Sequence, residues 1–119
     1  MSGSRKAQAC RGLRLLVADS AAARCRGWLG RRRPPGRRVG LLLAPCRAVH
    51  TLGMTFPIDL VFLSRLGRVV KVVRCLRPWR VALCLRAVAV VELRAGVIDA
   101  EYGGVAGIEA AIKNAQRRN

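Results

Sequence analysis

The sequence predicts an α+β domain: a mostly antiparallel β sheet or barrel-like fold with a helix near each end. Three observations predict it. Strand-sized apolar runs recur along the chain between Gly, Pro and Ser clusters, which is the punctuation of short strands. Residues 58–76 form two apolar runs around Ser64-Arg65-Leu66-Gly67, the turn chemistry of a β-hairpin. Alanine-rich amphipathic segments stand only near the two ends. A length of 119 residues fits one domain, and an apolar fraction of 52% is ample for its core. Aromatic residues are few, so Val, Leu, Ile and Ala must fill that core.

Leu13, Leu15 and Val17 set out the first strand after a basic tail over residues 1–12. Asp19 and Ser20 then suit the cap of a helix, because their side-chain oxygens accept from its first free amides. That helix is expected to end near Gly30, before the basic loop that follows. A second strand over 40–46 is limited by Pro45, and a third covers 48–51. After the 58–76 hairpin, Pro78-Trp79 turns the chain again. A short strand over 81–85 and a buried one over 87–93 follow, the latter ending at Ala95-Gly96. Gly103-Gly104 sets off a last segment in which Ile108, Ala111, Ile112 and Ala115 fall at helical spacing. The organisation is a tail over 1–12, one β-rich domain over 13–107, and a C-terminal helix with a basic end over 108–119.

A net charge of +17 raises the question of polyanion binding. Arginine outnumbers lysine 20 to 3 within an Ala-, Gly-, Leu- and Val-rich chain, the composition expected of a GC-rich genome. The basic residues are dispersed, and one true cluster remains: Arg31, Arg32, Arg33, Arg37 and Arg38, in a Pro- and Gly-containing loop. Neither an RNP-like aromatic strand nor zinc-finger spacing accompanies it. Weak, nonspecific polyanion binding is the expectation for that loop. No apolar run approaches the ~20 residues that span a bilayer, and no signal-peptide core is evident, so a cytoplasmic protein is expected. The five cysteines form no Cys-x-x-Cys pair and are expected to stay reduced; no metal site and no cofactor are expected.

The order of features then resembles a known family. Ala21-x-x-Arg24-x-x-Gly27-Trp28-Leu29-Gly30-Arg31 precedes an apolar strand. His50-Thr51-x-Gly53-Met54-x-Phe56-Pro57-Ile58-Asp59-Leu60-Val61-Phe62-Leu63 follows, then the Gly67 hairpin, Pro78 and Val91-Glu92-Leu93-x-Ala95-Gly96. Together these are similar to the prokaryotic family called domain of unknown function 192, over residues 13 to 107. The resemblance implies a small β-rich α+β fold and carries no established activity. Trp28-Leu29 stands where the family usually has Leu-Met, and residues 107–109 replace a Gly-Asp pair found in many relatives.

Val49 to Leu63 holds the single histidine and one of six acidic residues. Asp59 lies in an apolar strand on the face of Val61 and Leu63. Glu92 has the same setting between Val91 and Leu93, on the face of Val88 and Val90. A carboxylate so placed must be paired, hydrogen-bonded or shifted in pKa. In the structural reading, Asp59 ties down the turn over 53–57 through backbone amides and Glu92 pairs with an arginine, Arg24 or Arg94. In the functional reading, Asp59, Glu92 and His50 share one pocket. The leading expectation is a small non-catalytic binding or accessory domain. A groove at His50, Thr51, Met54, Asp59 and Glu92 would hold a small ligand or a protein partner. A small hydrolase using Asp59 or Glu92 with His50 is the second expectation. The third is a nucleic-acid or anionic-surface binder led by the arginine loop.

Overall fold

The computed structural model describes residues 12–18 and 33–118. The strands are β1 (Arg14–Ala18), β2 (Val39–Leu43), β3 (Ala48–His50), β4 (Ile58–Leu63), β5 (Val69–Leu76), β6 (Val81–Leu83) and β7 (Ala89–Arg94). Two helices follow, α1 (Val97–Ala100) and α2 (Val105–Arg118). Five strands form one sheet in the order β1-β2-β7-β4-β5, while β3 and β6 pair as a separate ribbon. β1 and β2 run parallel and the other pairs are antiparallel. The fold is α+β as the sequence predicts, and the sheet stays open rather than closing into a barrel. The expected N-terminal helix, with Arg31 and Arg32, lies outside the described residues.

Strand alternation divides the buried side chains between two cores. On one face of the sheet, Leu15, Val61, Leu63, Val91 and Leu93 pack with Val97 and Ile98 of α1 and Ile108, Ala111, Ile112 and Ala115 of α2. On the other, Leu41, Leu43, Ile58, Leu60, Phe62 and Val90 pack with Val49, Met54, Phe56, Ala82 and Cys84 of the ribbon and its loops. Helices therefore cover one side and the ribbon the other. β4 is buried at every position because it is covered on both faces, which is why it reads as a continuous apolar run. The hairpin between β4 and β5 closes where expected: Ser64 donates to the Arg68 carbonyl at 2.8 Å, and Gly67 adopts φ 78°. α2 begins at Val105, within the span read from sequence as the β-rich domain, and its four spaced apolar residues are all buried.

Tyr102, between the helices, is buried in the helix-side core. Burial above all, then the charge of Glu101, opposed by Arg38, pushes its phenol up to about 12. A raised pKa in the folded state means that the unfolded chain loses this proton first. Tyr102 therefore contributes stability that is fully present below the ordinary tyrosine pKa of about 10 and is lost as pH rises toward 12. It is the single tyrosine, so tyrosinate absorbance reports on it alone. Alkaline titration of the folded protein is expected to place its midpoint near 12; a midpoint near 10 would show an exposed phenol.

Candidate functional site

Asp59 is fully buried in β4 and accepts two backbone hydrogen bonds. Its Oδ1 receives the Cys75 amide at 2.8 Å and its Oδ2 the Ile98 amide at 3.1 Å. The first bond has a register origin. Ile58 pairs with Leu76 but Leu60 with Val73, so Arg74 and Cys75 together oppose Asp59 in a β-bulge, and Cys75 takes φ 53°. The second bond caps α1, whose entry residue Gly96 offers no side chain. Arg74 turns from the bulge to Asp99 of α1, at 2.8 Å. Its pKa is raised chiefly by that hydrogen bond and in smaller measure by the Asp59 charge. Asp59 thus joins bulge to helix. It does not hold the 53–57 turn, as the sequence reading expected, because that turn and the Asp59 side chain belong to opposite faces of the sheet.

Glu92 is also buried, but on the other face. β7 pairs with β4 so that Asp59 faces Leu93 while Glu92 faces Leu60, and across β2 Glu92 faces Leu41. Adjacent positions on a pleated strand point to opposite sides, so Asp59 lies toward the helices and Glu92 toward the ribbon. His50 ends β3 and is exposed; its neighbour Val49 is the residue that faces the core. The three residues expected to share a pocket are therefore set on three levels, and the acid–base constellation of the hydrolase reading is not assembled by them.

Thr51 and Met54 shape the turn instead of lining a groove. Met54 is buried in the ribbon-side core. The Thr51 hydroxyl is fully buried, donates to the Arg77 carbonyl at 2.6 Å and accepts the Arg80 amide at 2.9 Å. Its own carbonyl accepts the Trp79 amide at 2.9 Å. One residue thereby clamps the turn from 77 to 80, in which Pro78 is followed by Trp79 at φ 64°. Pro followed by a left-handed residue is type II turn geometry, where glycine or asparagine is usual.

This turn opens onto a face that the sequence reading did not single out. In β6, small Ala82 is buried while Val81 and Leu83 are exposed, and Trp79 and Leu85 continue the outward series. Trp79 is 65% exposed, Val81 64% and Leu85 73%. Cross-strand pairing sets His50 beside Val81 and Ala48 beside Leu83 on the same outer face. Leu52, also exposed, flanks the clamped turn. Exposed cations surround the strip: Arg47, Arg77, Arg80 and Arg86, with Lys71 donating to the Leu83 carbonyl at 2.8 Å. Between Asp59 and Glu92 the chain holds seven Lys or Arg residues and no acidic one. Of the arginine loop, Arg33, Arg37 and Arg38 are described; all are exposed, and Arg38 pairs with Glu101 at 3.2 Å.

Among the described residues, no three His, Cys, Asp or Glu side chains are grouped to hold a metal, and no helix is long and apolar enough to cross a membrane. Two solved structures share this fold. One, a protein of unknown function from Novosphingobium aromaticivorans, matches with a TM-score of 0.66 and 19% identity over 74% of this chain and 67% of its own. The other, from Sinorhizobium meliloti, is described as a candidate transcription regulator; it matches with a TM-score of 0.65 and 18% identity over 72% of this chain and 71% of its own. At such identities the likeness concerns the fold alone. No curated protein matches the chain. The model of the DUF192 family, described as Uncharacterized ACR, matches residues 4–106, and the chain belongs to that family.

Proposed function

We propose that this protein is a small non-catalytic accessory domain of the bacterial cytoplasm that docks on an anionic lipid leaflet through the outer face of the β3–β6 ribbon. The observation that carries the reading is Trp79, held in a left-handed conformation and still 65% exposed. Such a conformation costs on the order of 1–3 kcal/mol, and an indole left mostly exposed recovers little of that through burial. The Thr51 clamp stabilises the arrangement at the expense of that strain. Val81, Leu83 and Leu85 extend the apolar strip, while the surrounding arginines and Lys71 supply charge complementary to a cytoplasmic leaflet. Indole favours the membrane interface, and long cationic side chains reach headgroups beside it. Of the residues expected to line a groove, His50 alone lies on this face.

The test is co-sedimentation with vesicles of phosphatidylcholine containing a minority of phosphatidylglycerol. Replacing both Trp79 and Leu83 with Ser is expected to weaken partitioning by about 100-fold, since a half-immersed apolar side chain contributes about tenfold. Part of the binding should survive salt that removes the purely electrostatic component. If the double variant sediments like the parent, or if an acidic peptide binds this face while vesicles do not, the lipid reading is wrong.

A further inference from the structure

At the other end of the ribbon, away from the Trp79 turn, lies a cleft of about 520 Å³ lined by Pro45, Cys46, Arg47, Arg65 and Val88. Its walls are fixed by backbone bonds. The Cys46 amide donates to the Val88 carbonyl at 2.9 Å, and the Val88 amide to the Leu63 carbonyl at 2.9 Å. Arg47 is oriented by its Nε, which donates to the Ala87 carbonyl at 3.1 Å, leaving the two terminal nitrogens of its guanidinium for another acceptor. Arg65 comes from the tip of the β4–β5 turn and lines the same cleft. Neither Arg47 nor Arg65 takes part in the ion pairs formed among the described residues.

We infer that this cleft binds a phosphate monoester, the phosphate between the guanidinium groups of Arg47 and Arg65 and the organic part against Pro45 and Val88. Two arginines match the nearly dianionic charge that a phosphate monoester carries at neutral pH, whereas a carboxylate needs only one. Guanidinium geometry suits the tetrahedral oxygens, and the volume is that of a small-molecule site. The inference does not depend on the lipid reading. A soluble phosphate monoester and the headgroup of phosphatidic acid present the same group.

Phenyl phosphate, titrated while the arginine Nε–H resonances are followed by NMR, tests the site. Arg47 and Arg65 are expected to shift first and together, and Arg65→Gln is expected to weaken binding about tenfold. Arg117→Gln, which removes the same charge from an exposed arginine in the last turn of α2, outside both the cleft and the Trp79 face, should change it less than twofold. Benzoate should bind at least about tenfold more weakly than phenyl phosphate, as a monoanion between two cations. A second arm compares vesicles of phosphatidic acid with vesicles of phosphatidylglycerol. Loss of a phosphatidic acid preference in Arg65→Gln assigns the headgroup as the source, and an effect confined to phenyl phosphate assigns a soluble ligand. Equal losses in Arg65→Gln and Arg117→Gln in both arms, or arginine shifts spread evenly over the chain, would overturn the site. Neither result would bear on the Trp79 face.

Discussion

Replacing Asp59 with Asn is expected to destabilise the fold by about 3 kcal/mol, despite the near-identical shape of the two side chains. The carboxylate accepts from the amides of Cys75 and Ile98, one on each oxygen, in a site sealed from water. Asparagine keeps one oxygen, and its NH2 group then confronts the other amide, donor against donor. A buried amide without an acceptor costs about 1–3 kcal/mol, and the surviving bond loses its charge assistance. Asp59→Ala should cost more, because both amides are orphaned and a cavity opens. Urea denaturation measures the loss. Hydrogen exchange locates it, with faster exchange expected at Cys75 and Ile98 ahead of the centre of β7. An Asp59→Asn protein as stable as the parent would mean that Asp59 is kept for some purpose other than joining bulge to helix.

The fate of Asp59 also shows how far the sequence could be read. Alternation within β4 correctly grouped Asp59 with Val61 and Leu63, and alternation within β7 grouped Glu92 with Val90, whereas Val88, expected on that same face, precedes β7 and packs with the helix-side core. What alternation cannot supply is the offset between strands. With Asp59 opposite Leu93, the two acids fall on opposite faces; a slip of one residue would have placed them side by side. The bulge at Arg74 and Cys75 was equally hidden, since no glycine marks it. The 58–76 hairpin was legible because its turn residues and both apolar runs are local signals. So was the buried stripe of α2, where helical periodicity names the same four residues that the core contains.

The exposed apolar face was illegible for a different reason. From Trp79 to Leu85 large apolar residues alternate with Arg80, Ala82 and Cys84. The usual reading of such alternation turns the large side chains inward, yet the ribbon buries Ala82 and Cys84 and exposes Trp79, Val81, Leu83 and Leu85. The ribbon shares its core with β4 and β7, and Met54, Phe56 and Phe62 already contribute large side chains to it. Val49 of β3 takes part of the inner side as well, and the inner positions of residues 81–85 are left to the small Ala82 and Cys84. The inversion is a consequence of packing volume, which single-strand patterning does not encode.

Gly107→Ala is expected to cost about 3 kcal/mol, with the sign opposite to that of glycine replacement in an ordinary helix. Within a helix, Gly to Ala normally stabilises by about 1 kcal/mol. Gly107 sits in the first turn of α2, where the chain doubles back from α1 through Gly103 and Gly104 at φ 75° and 116°. The Gly104 amide donates to the Ile98 carbonyl at 2.8 Å, which holds the two helices in close apposition. A Cβ on Gly107 would fall on the carbonyl oxygen of Tyr102, a backbone atom that cannot swing aside as a side chain would. Relief requires α2 to move as a body, and α2 carries Ile108, Ala111, Ile112 and Ala115 into the helix-side core. The steric cost therefore spreads into lost packing, in the upper range for overpacked sites. A fall in melting temperature of about 10–20 °C is the expected readout. An unchanged or raised melting temperature would show that α2 does not approach Tyr102 so closely. The substitution has a further use: if Tyr102 then ionises nearer pH 10, the close approach of α2 is also what keeps the phenol buried.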